Sequence, residues 1–253
     1  MTNIDSETFV KTFARGLQVI EALGRHKPGM TVGEVSEATC LSRSVVKRLL
    51  LTLTEVGYAD TDGRDYSLTP KVLTLGLSYL YSLPFWKHAQ YSLEELSQAI
   101  HQSCAMSILD HVDIVYVVRI PTYKILRASP TLGSRLPANA VSMGRILLAG
   151  LSDAELEHYL EHAPLHRLTN ATLVDQELLR EQILVAREKG YAWVKGELDE
   201  SICGLAIAVK DMEGKVRGAI NVSLPSETIE EAEAVEKYLA PLRNTAAQIR
   251  TAL

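Results

Sequence analysis

The sequence predicts an α+β protein with an N-terminal winged helix-turn-helix, a linker helix and a larger C-terminal domain in which helices flank an antiparallel sheet. Three observations predict this fold. Residues 31–57 contain two capped helical segments joined by a short turn. The chain has 253 residues, about 180 more than a winged helix needs, which is enough for a second domain with its own core. From Cys104 onward, the apolar pattern changes from helical spacing to that of strands and turns.

The first predicted helix runs from Phe9 to Arg25, before a turn at Pro28 and Gly29. Its apolar residues recur at three and four positions, which places them on one face of a helix. The residues predicted to face inward are Phe13, Leu17, Ile20 and Leu23.

The next two helices form the predicted helix-turn-helix. Thr31 and Glu34 have the spacing of a capping box, and Ser42 is a second N-cap candidate. The helix after Ser42 ends at Gly57, and its apolar positions share one face. These positions are Val46, Leu49, Leu50, Leu53 and Val56. A short capped helix, a turn and a longer helix are typical of a DNA-reading motif.

The opposite face of the longer helix is basic and can form hydrogen bonds. Arg43, Ser44, Lys47 and Arg48 lie within its first two turns, where a recognition helix presents side chains to the edges of bases. The alternative is a surface amphipathic helix whose basic side chains are only solvated.

A hairpin predicted directly after this helix favours the DNA-binding interpretation, because three helices and a hairpin make a winged helix. Asp62-Gly63 is a strong turn signal between short segments at Tyr58–Thr61 and Tyr66–Leu68. Arg64 at the tip of this wing would contact a phosphate or enter a minor groove. The predicted residues for binding double-stranded operator DNA are Thr31, Ser42, Arg43, Ser44, Lys47, Arg48 and Arg64.

The formal charge of −5 is unevenly distributed. Residues 11–71 contain nine Lys or Arg and seven Asp or Glu, whereas residues 72–253 contain seventeen and twenty-two. The acidity therefore belongs to the second domain. Because the basic excess of the first domain is small, we expect DNA affinity to come from a focused patch and from dimerisation.

A linker helix is predicted between the two domains. Thr69 and Pro70 are an N-cap and a first helical residue, and the helix closes near Pro84. Its apolar residues go most of the way round the helix, which burial against a partner subunit explains better than packing on its own domain. The predicted domains are a DNA-binding domain at 1–69, a linker helix at 70–84 and a sensor-like C-terminal domain at 85–253.

The C-terminal domain is predicted from alternating strand and helix signals. A second long helix covers about Phe85 to Ser103. Strands are expected at 104–110, 113–120, 124–129, 203–211 and 215–224, and helices at 142–150, 152–162, 175–189 and 227–252. Strands grouped together, with helices grouped outside them, indicate an α+β sensor-like domain.

Several classes of protein are disfavoured. Cys40, Cys104 and Cys203 are odd in number and widely spaced, which argues against a disulfide framework or a structural zinc site. The N-terminus lacks the pattern of an export signal and no apolar stretch reaches the length of a membrane span, so we expect a cytoplasmic protein that does not contact a membrane.

The rival hypothesis is a metal-binding or enzymatic α+β protein with a fused DNA-binding module. His158, His162 and His166 form the best metal-like cluster in the sequence. Pro164 should end the helix before His166, so surface histidines are the favoured interpretation. Because common catalytic and nucleotide-binding motifs are absent from the sequence, we expect no catalytic residues, metal or cofactor.

Four blocks of the sequence, in order, resemble the IclR family of bacterial transcription regulators. They are LSRSVVKRLLLTLTEVGY, YSLTPKVLTLG, GSRLPANAVSMGRILLAGL and ESICGLAIAVKDMEGKVRGAINVS. Within the family, GSRLPA, SMGRILLA and AINVS resemble regulators of the β-ketoadipate pathway, which respond to protocatechuate, p-hydroxybenzoate or related acids.

The resemblance implies a GAF-like C-terminal domain that binds a small organic acid, and a homodimer or homotetramer on a palindromic operator. The effector-binding residues carried over are Leu132, Gly133, Arg135, Ser142, Met143, Glu197, Gly204, Asn221 and Ser223. Asn221 and Ser223 would share one face of a strand, and Ser142 would lie where free helix N–H groups attract an anion. Arg135 could pair with a carboxylate. Each of these residues could instead only support its neighbours.

The sequence departs from the family at two places. Cys40 stands where a Gly is usual in the turn, which predicts a turn that avoids left-handed backbone or carries strain. Ser201 and Gly204 differ from the usual pattern of their block, which predicts a larger pocket at Gly204 and a ligand that differs from the usual one of the subgroup.

Overall fold

A computed structural model of the chain describes residues 9–25, 29–122 and 130–253. The chain divides into two compact units, Met1–Ser82 and Leu83–Leu253, which we call the N-terminal and C-terminal units. The strand predicted at 124–129 and residue Pro28 of the predicted turn lie outside the described residues.

The N-terminal unit is a winged helix-turn-helix. Its elements are α1 (Lys11–Arg25), β1 (Met30–Thr31), α2 (Val32–Thr39), α3 (Arg43–Glu55), β2 (Ala59–Thr61) and β3 (Asp65–Leu68). β3 lies between β1 and β2, and all pairs are antiparallel. One hydrophobic core joins α1, α2 and α3 to the sheet through Val19, Val35, Leu50 and Tyr66.

The start of α2 and the turn before α3 are set by local hydrogen bonds. The Thr31 hydroxyl accepts from the N–H of Glu34 (3.3 Å), and the Glu34 carboxylate accepts from the N–H of Thr31 (2.8 Å), which completes the predicted capping box. Cys40 has a φ of 55°, so the turn is left-handed and its non-glycine residue carries strain of about 1 kcal/mol. Ser42 is the N-cap residue of α3, as predicted, and its backbone is extended. Its hydroxyl contacts Ser44 Oγ (3.2 Å) and forms no side-chain capping bond.

The predicted inward face of α1 is partly wrong. Leu23 is buried and Ile20 packs against the core, but the side chains of Phe13 and Leu17 are 69% and 43% exposed. The buried face is centred on Val19 and Leu23, and Phe13 and Leu17 lie on the other side of the helix because each residue advances by about 100°. Helix α1 therefore has a buried apolar face and a separate exposed one, and the sequence pattern did not distinguish them.

The wing forms between β2 and β3 as predicted. Asp62 accepts hydrogen bonds from the N–H groups of Asp65 (2.8 Å) and Arg64 (2.9 Å). These bonds lower the pKa of the Asp62 carboxyl below its ordinary value. Gly63 has a φ of 97°, a conformation that glycine adopts at little cost.

The segment predicted as a linker helix consists of a 3-10 turn at Pro70–Val72 and helix α4 (Leu73–Ser82). The Thr69 hydroxyl accepts from the N–H of Lys71 (3.3 Å), so Thr69 caps the turn as predicted. The boundary between the two compact units falls directly after α4.

The C-terminal unit is built on a six-stranded antiparallel sheet with the order β6-β5-β4-β9-β8-β7. The strands are β4 (Ser103–Asp110), β5 (Asp113–Ile120), β6 (Arg135–Pro137), β7 (Ala192–Lys195), β8 (Ile202–Lys210) and β9 (Val216–Pro225). The helices are α5 (Trp86–Ile100), α6 (Ser142–Ala149), α7 (Asp153–His162), α8 (Gln176–Lys189) and α9 (Glu231–Arg250). α6, α7 and α8 share a core with one face of the sheet through Ala105, Ala206 and Ala219.

The predicted elements agree with this architecture except at the sheet edges and the last helix. β6 and β7 were not predicted, since runs of three and four residues are too short for periodicity to show. α9 begins at Glu231, four residues later than predicted, and continues through Pro241. In the part of the chain that the structure describes, no helix is long and apolar enough to cross a membrane.

Candidate functional site

A pocket opens in the C-terminal unit beside the first turn of α6. It encloses roughly 630 Å³ of empty space, its mouth included. Its walls come from β5, β7, β8, β9, the start of α6 and the segment after β7. The lining residues are Tyr116, Arg119, Pro130, Ala140, Val141, Ser142, Met143, Val194, Glu197, Leu198, Ile202, Cys203, Gly204, Asn221 and Ser223.

The sheet register brings two polar lining residues onto one face. Arg119 of β5 pairs with Ala105 of β4, and Ala105 pairs with Asn221 of β9. Directly paired residues point to the same side of a sheet, so Arg119 and Asn221 flank the small side chain of Ala105. Their backbones are about 10 Å apart, because neighbouring strands are about 4.8 Å apart.

Arg119 places a guanidinium group with buried nitrogens in the pocket wall. Its Nε and Nη1 atoms are buried and have no hydrogen-bond partner within the described residues. Tyr116 and the Cys104 thiol bring no negative charge to Arg119 at pH 7. Their ordinary pKa values are already above 7, and burial raises the pKa of each group further, to about 12. A buried guanidinium without an acceptor is unfavourable, so this wall is suited to bind an anion.

Ser142, Asn221 and Ser223 supply hydrogen-bonding groups to the same pocket. Asn221 Nδ2 donates to Ser223 Oγ (3.1 Å), which fixes the orientation of the amide. Asn221 Oδ1 is buried and has no donor among the described residues. Ser142 is the first residue of α6 and is only 4% exposed. These atoms can accept or donate hydrogen bonds to a hydroxyl group on a ligand.

Gly204 allows the serine and asparagine to come close together. A Cβ atom at this position would lie 2.7 Å from Ser142 Oγ and 3.6 Å from Asn221 Nδ2. Any larger residue would therefore displace the Ser142 hydroxyl from its present place.

Glu197 lines the pocket but is bound from behind by Arg145 of α6. Arg145 Nη2 donates to Glu197 Oε2 (2.8 Å) and Oε1 (3.0 Å), and also to the backbone oxygen of Asn139 (2.6 Å). The N–H of Leu173 donates to Glu197 Oε2 as well (3.2 Å). The glutamate carboxylate is thus engaged by the protein itself.

The structure brings six of the nine predicted effector residues to the pocket wall: Ser142, Met143, Glu197, Gly204, Asn221 and Ser223. It does not place Leu132, Gly133 or Arg135 there. Arg135 begins the edge strand β6 and forms ion pairs with Asp110 (2.6 Å) and Asp113 (3.2 Å) near the β4–β5 turn. Its positive charge is therefore compensated outside the pocket.

Sequence reasoning did not select Arg119 or Tyr116. Both lie in the apolar strand DIVYVVRI. A charged residue within such a strand is unusual, and this feature could have marked Arg119 as a candidate. The register that places Arg119 beside Asn221 joins residues about 100 positions apart in sequence, so no local pattern reports it.

In the N-terminal unit, α3 presents an exposed polar face. Arg43, Ser44, Lys47 and Arg48 are all exposed, and Arg64 is exposed at the tip of the wing. The predicted residues Thr31 and Ser42 lie beside this face at the starts of α2 and α3.

Two of these arginines have specific surroundings. A Cβ atom on Gly33 would lie 3.6 Å from Arg43 Nη2, so Arg43 folds back over the start of α2. Arg48 lines a groove between α1 and α3 together with Arg15. Ser44 and Lys47 are therefore the central polar residues on the outer face of α3.

His158, His162 and His166 are exposed. The rings of His158 and His162 stack 4.2 Å apart, and His162 Nδ1 lies 2.8 Å from the backbone oxygen of His158. Within the described ranges, no group of three His, Cys, Asp or Glu side chains could hold a metal ion.

A winged helix-turn-helix in one unit and a small-molecule pocket in the other define a ligand-responsive DNA-binding transcription regulator. Residues 12–63 match the IclR helix-turn-helix domain, and residues 77–251 match the C-terminal domain of the bacterial transcriptional regulator IclR. The chain belongs to the IclR family, as its sequence blocks predicted.

The similar proteins include regulators of aromatic catabolism, which confirms the predicted subgroup. The Pca regulon regulatory protein of Pseudomonas putida is 39% identical over 232 residues, which are 91% of this chain and 80% of that protein. The p-hydroxybenzoate hydroxylase transcriptional activator of Acinetobacter baylyi is 32% identical over 252 residues, which are 98% of this chain and 93% of that protein.

Solved structures also match. A transcriptional regulator from Rhodococcus sp. RHA1 is 40% identical with a TM-score of 0.87, and the match covers 97% of this chain and 98% of that one. The inducer-binding domain of an Acinetobacter PobR double mutant, solved with 3-hydroxybenzoic acid, is 29% identical with a TM-score of 0.60. That match covers 65% of this chain and 96% of the domain.

Proposed function

We propose that the effector of this regulator is a hydroxylated aromatic carboxylate that binds in the pocket beside α6. The observation that carries the proposal is the guanidinium of Arg119, which has two buried nitrogens without an acceptor in the described part of the chain. The 3-hydroxybenzoic acid bound to the Acinetobacter domain supports the same class of ligand.

The proposed orientation follows from the two ends of the pocket. The effector carboxylate accepts hydrogen bonds from Arg119, because a charge-assisted bond between guanidinium and carboxylate is among the strongest available. The apolar lining residues Val194 and Ile202 contact the ring. The ring hydroxyl lies beside Asn221 and donates a hydrogen bond to its buried Oδ1.

Ser142, Ser223 and Gly204 complete the part of the pocket that binds the effector hydroxyl. Ser223 holds the Asn221 amide through the 3.1 Å hydrogen bond, and Ser142 Oγ is within reach because Gly204 has no side chain. We propose that Met143 and Glu197 act as walls in this site, since Met143 is buried and Glu197 is engaged by Arg145.

For DNA recognition, we propose that Ser44 and Lys47 contact base edges in the major groove. Both are exposed on the outer face of α3. Arg43, Arg48 and Arg64 lie at the margins of this face, where a cation meets the phosphate backbone. Thr31 and Ser42 would support these contacts at the two helix starts.

We propose that the regulator acts as a homodimer on a palindromic operator, in the compartment that holds the DNA. The N-terminal unit exposes large apolar side chains just before α1, on α1 and on α4. They are Phe9, Val10, Phe13, Leu17, Leu73 and Leu75. Apolar surface of this kind marks an interaction site, and a second copy is the occupant that two operator half-sites require. Pairing of two such dimers would give a homotetramer.

Effector binding would then change DNA affinity by favouring one arrangement of the dimer. A ligand shifts a conformational equilibrium only through its different affinities for the two states. The segment at 70–84 connects the effector domain at 85–253 to the DNA-binding domain at 1–69, so we propose it as the transmitting element.

Isothermal titration of the purified full-length protein with 4-hydroxybenzoate, 3-hydroxybenzoate and 4-hydroxybenzamide tests the effector class. The account predicts saturable binding of at least one hydroxybenzoate, and binding of the neutral amide that is weaker than that of 4-hydroxybenzoate by about tenfold or more. Equal affinity for acid and amide, or no binding of either acid while specific operator DNA is still bound, would refute the proposal.

A further inference from the structure

We propose that Arg145, which lies behind the pocket wall, is a positioning residue that allows the pocket to accept an anionic ligand. The inference rests on the proposed function, because it concerns how the same pocket tolerates an aromatic carboxylate. Arg145 would act through Glu197, without touching the effector.

A carboxylate in the pocket wall opposes the binding of a second carboxylate. Glu197 lines the pocket and is only 7% exposed. Like charges repel more strongly where water is excluded, and two carboxylates that share a site do not both remain ionised without a compensating charge. A pocket that binds an aromatic acid must therefore neutralise Glu197.

Arg145 supplies that compensation from the far side of Glu197. Its side chain is 3% exposed, and its Nη2 atom lies 2.8 Å from Oε2 and 3.0 Å from Oε1 of the glutamate. Of the ion pairs between described residues, this is the one in which both side chains are less than 10% exposed. With Glu197 neutralised, Arg119 is the remaining charged side chain among the described residues that line the pocket.

The pair also fixes the position of the glutamate. Arg145 lies one helical turn after Ser142 on α6, whereas Glu197 follows β7. The Arg145 guanidinium is held by the backbone oxygen of Asn139 (2.6 Å), and Glu197 Oε2 accepts from the N–H of Leu173 (3.2 Å). The guanidinium of Arg145 and the N–H of Leu173 thus hold the Glu197 carboxylate in place.

Three variants of the full-length protein separate charge compensation from a merely structural role: Arg145→Met, Glu197→Gln and the double variant Arg145→Met/Glu197→Gln. Each is titrated with 4-hydroxybenzoate and with the neutral analogue 4-hydroxybenzamide. The matched control is Arg180→Met/Glu157→Gln, which removes a half-exposed Arg–Glu pair between α8 and α7 that does not line the pocket.

The inference predicts a loss that depends on ligand charge. Arg145→Met should weaken the binding of 4-hydroxybenzoate by about tenfold or more, because the negative charge of Glu197 is then uncompensated and repels the acid. The affinity for the neutral 4-hydroxybenzamide should change by less than about threefold. The double variant should bind the acid within about threefold of the wild type, because neither of the two replaced side chains then carries a charge. Glu197→Gln leaves the positive charge of Arg145 without its partner and should bind the acid more tightly than the wild type, whereas binding of the amide should change by less than about threefold. The control pair should change the affinity for either ligand by less than about threefold.

Equal losses of acid and amide in Arg145→Met, or a double variant that binds the acid no better than Arg145→Met, would overturn the inference. If Arg145→Met does not fold, the acid affinity of the double variant is compared with that of the wild type. A double variant that binds the acid more than about tenfold more weakly than the wild type refutes charge compensation. A wild-type protein that binds no hydroxybenzoate would refute the proposed function itself. Wild-type binding with a loss in Arg145→Met that does not depend on ligand charge would refute this inference alone.

Discussion

The recognition helix and the pocket both present cationic side chains, but in opposite surroundings. Arg43 and Lys47 of α3 are exposed to water, where solvation and counterions compensate their charge. Arg119 has two buried nitrogens that meet no acceptor in the described residues. Exposed cations attract a polyanion over a distance and in a salt-dependent way, whereas a buried cation favours a ligand that brings an anion to one place.

Replacement of Arg119 should have the largest effect. Arg119→Gln should weaken 4-hydroxybenzoate binding by about 100-fold, because loss of one partner of a buried charged hydrogen bond costs about 2–5 kcal/mol. Isothermal titration measures this change. The matched control is Arg135→Gln, whose arginine is bound to Asp110 and Asp113 away from the pocket, and which should change the affinity by less than about twofold. Similar losses of effector affinity in both variants would show that Arg119 does not differ from Arg135 in its role in anion binding.

Replacement of an exposed cation on α3 should have a smaller effect that depends on salt. Lys47→Ala should weaken operator binding by about tenfold if Lys47 reads a base. Fluorescence anisotropy at several salt concentrations measures both affinity and its salt dependence. Effector affinity should not change. Operator affinity equal to that of the wild type would refute the assigned recognition face.

An added side chain at Gly204, where the pocket binds the effector hydroxyl, should reduce effector affinity moderately. In Gly204→Ala, the new methyl group would lie 2.7 Å from Ser142 Oγ, so the hydroxyl must move and effector affinity should fall about fivefold. The control is Gly16→Ala on α1, where an added Cβ meets no atom within 4 Å and effector titration should show no change. An unchanged or tighter Kd in Gly204→Ala would show that Ser142 does not contact the ligand.

The smallest expected effect is at the wing. Arg64 is exposed at the hairpin tip, so Arg64→Ala should weaken operator binding about twofold and lower the salt dependence by about one counterion. The loss should be the same for specific and unrelated DNA, because a phosphate contact carries no sequence information. A loss confined to the specific operator would instead indicate a base contact in the minor groove.

The two regions also differ in how much of them the sequence predicts. The capping box of Thr31 and Glu34, the wing turn at Asp62-Gly63 and the polar face of α3 are local patterns, and each is found as predicted. Phe13 and Leu17 were placed inward wrongly, because periodicity reports a stripe but not which stripe meets the core.

The pocket depends on strand pairing between distant residues, which periodicity does not report. Asn221 and Ser223 were found through family resemblance and lie on the pocket wall. Arg119 was missed because its place beside Asn221 follows from the order β5-β4-β9. Arg135 was preferred as the carboxylate partner, but the pairing of β6 with β5 places it beside Asp110 and Asp113 instead.

A crystal structure of the full-length protein with 4-hydroxybenzoate would show which side chain binds the effector carboxylate. We expect the ligand in the pocket beside α6, with its carboxylate oxygens within about 3 Å of Arg119 nitrogens and its hydroxyl beside Asn221. A carboxylate that lies away from Arg119, or a ligand bound outside this pocket, would show that Arg119 is not the anion-binding residue.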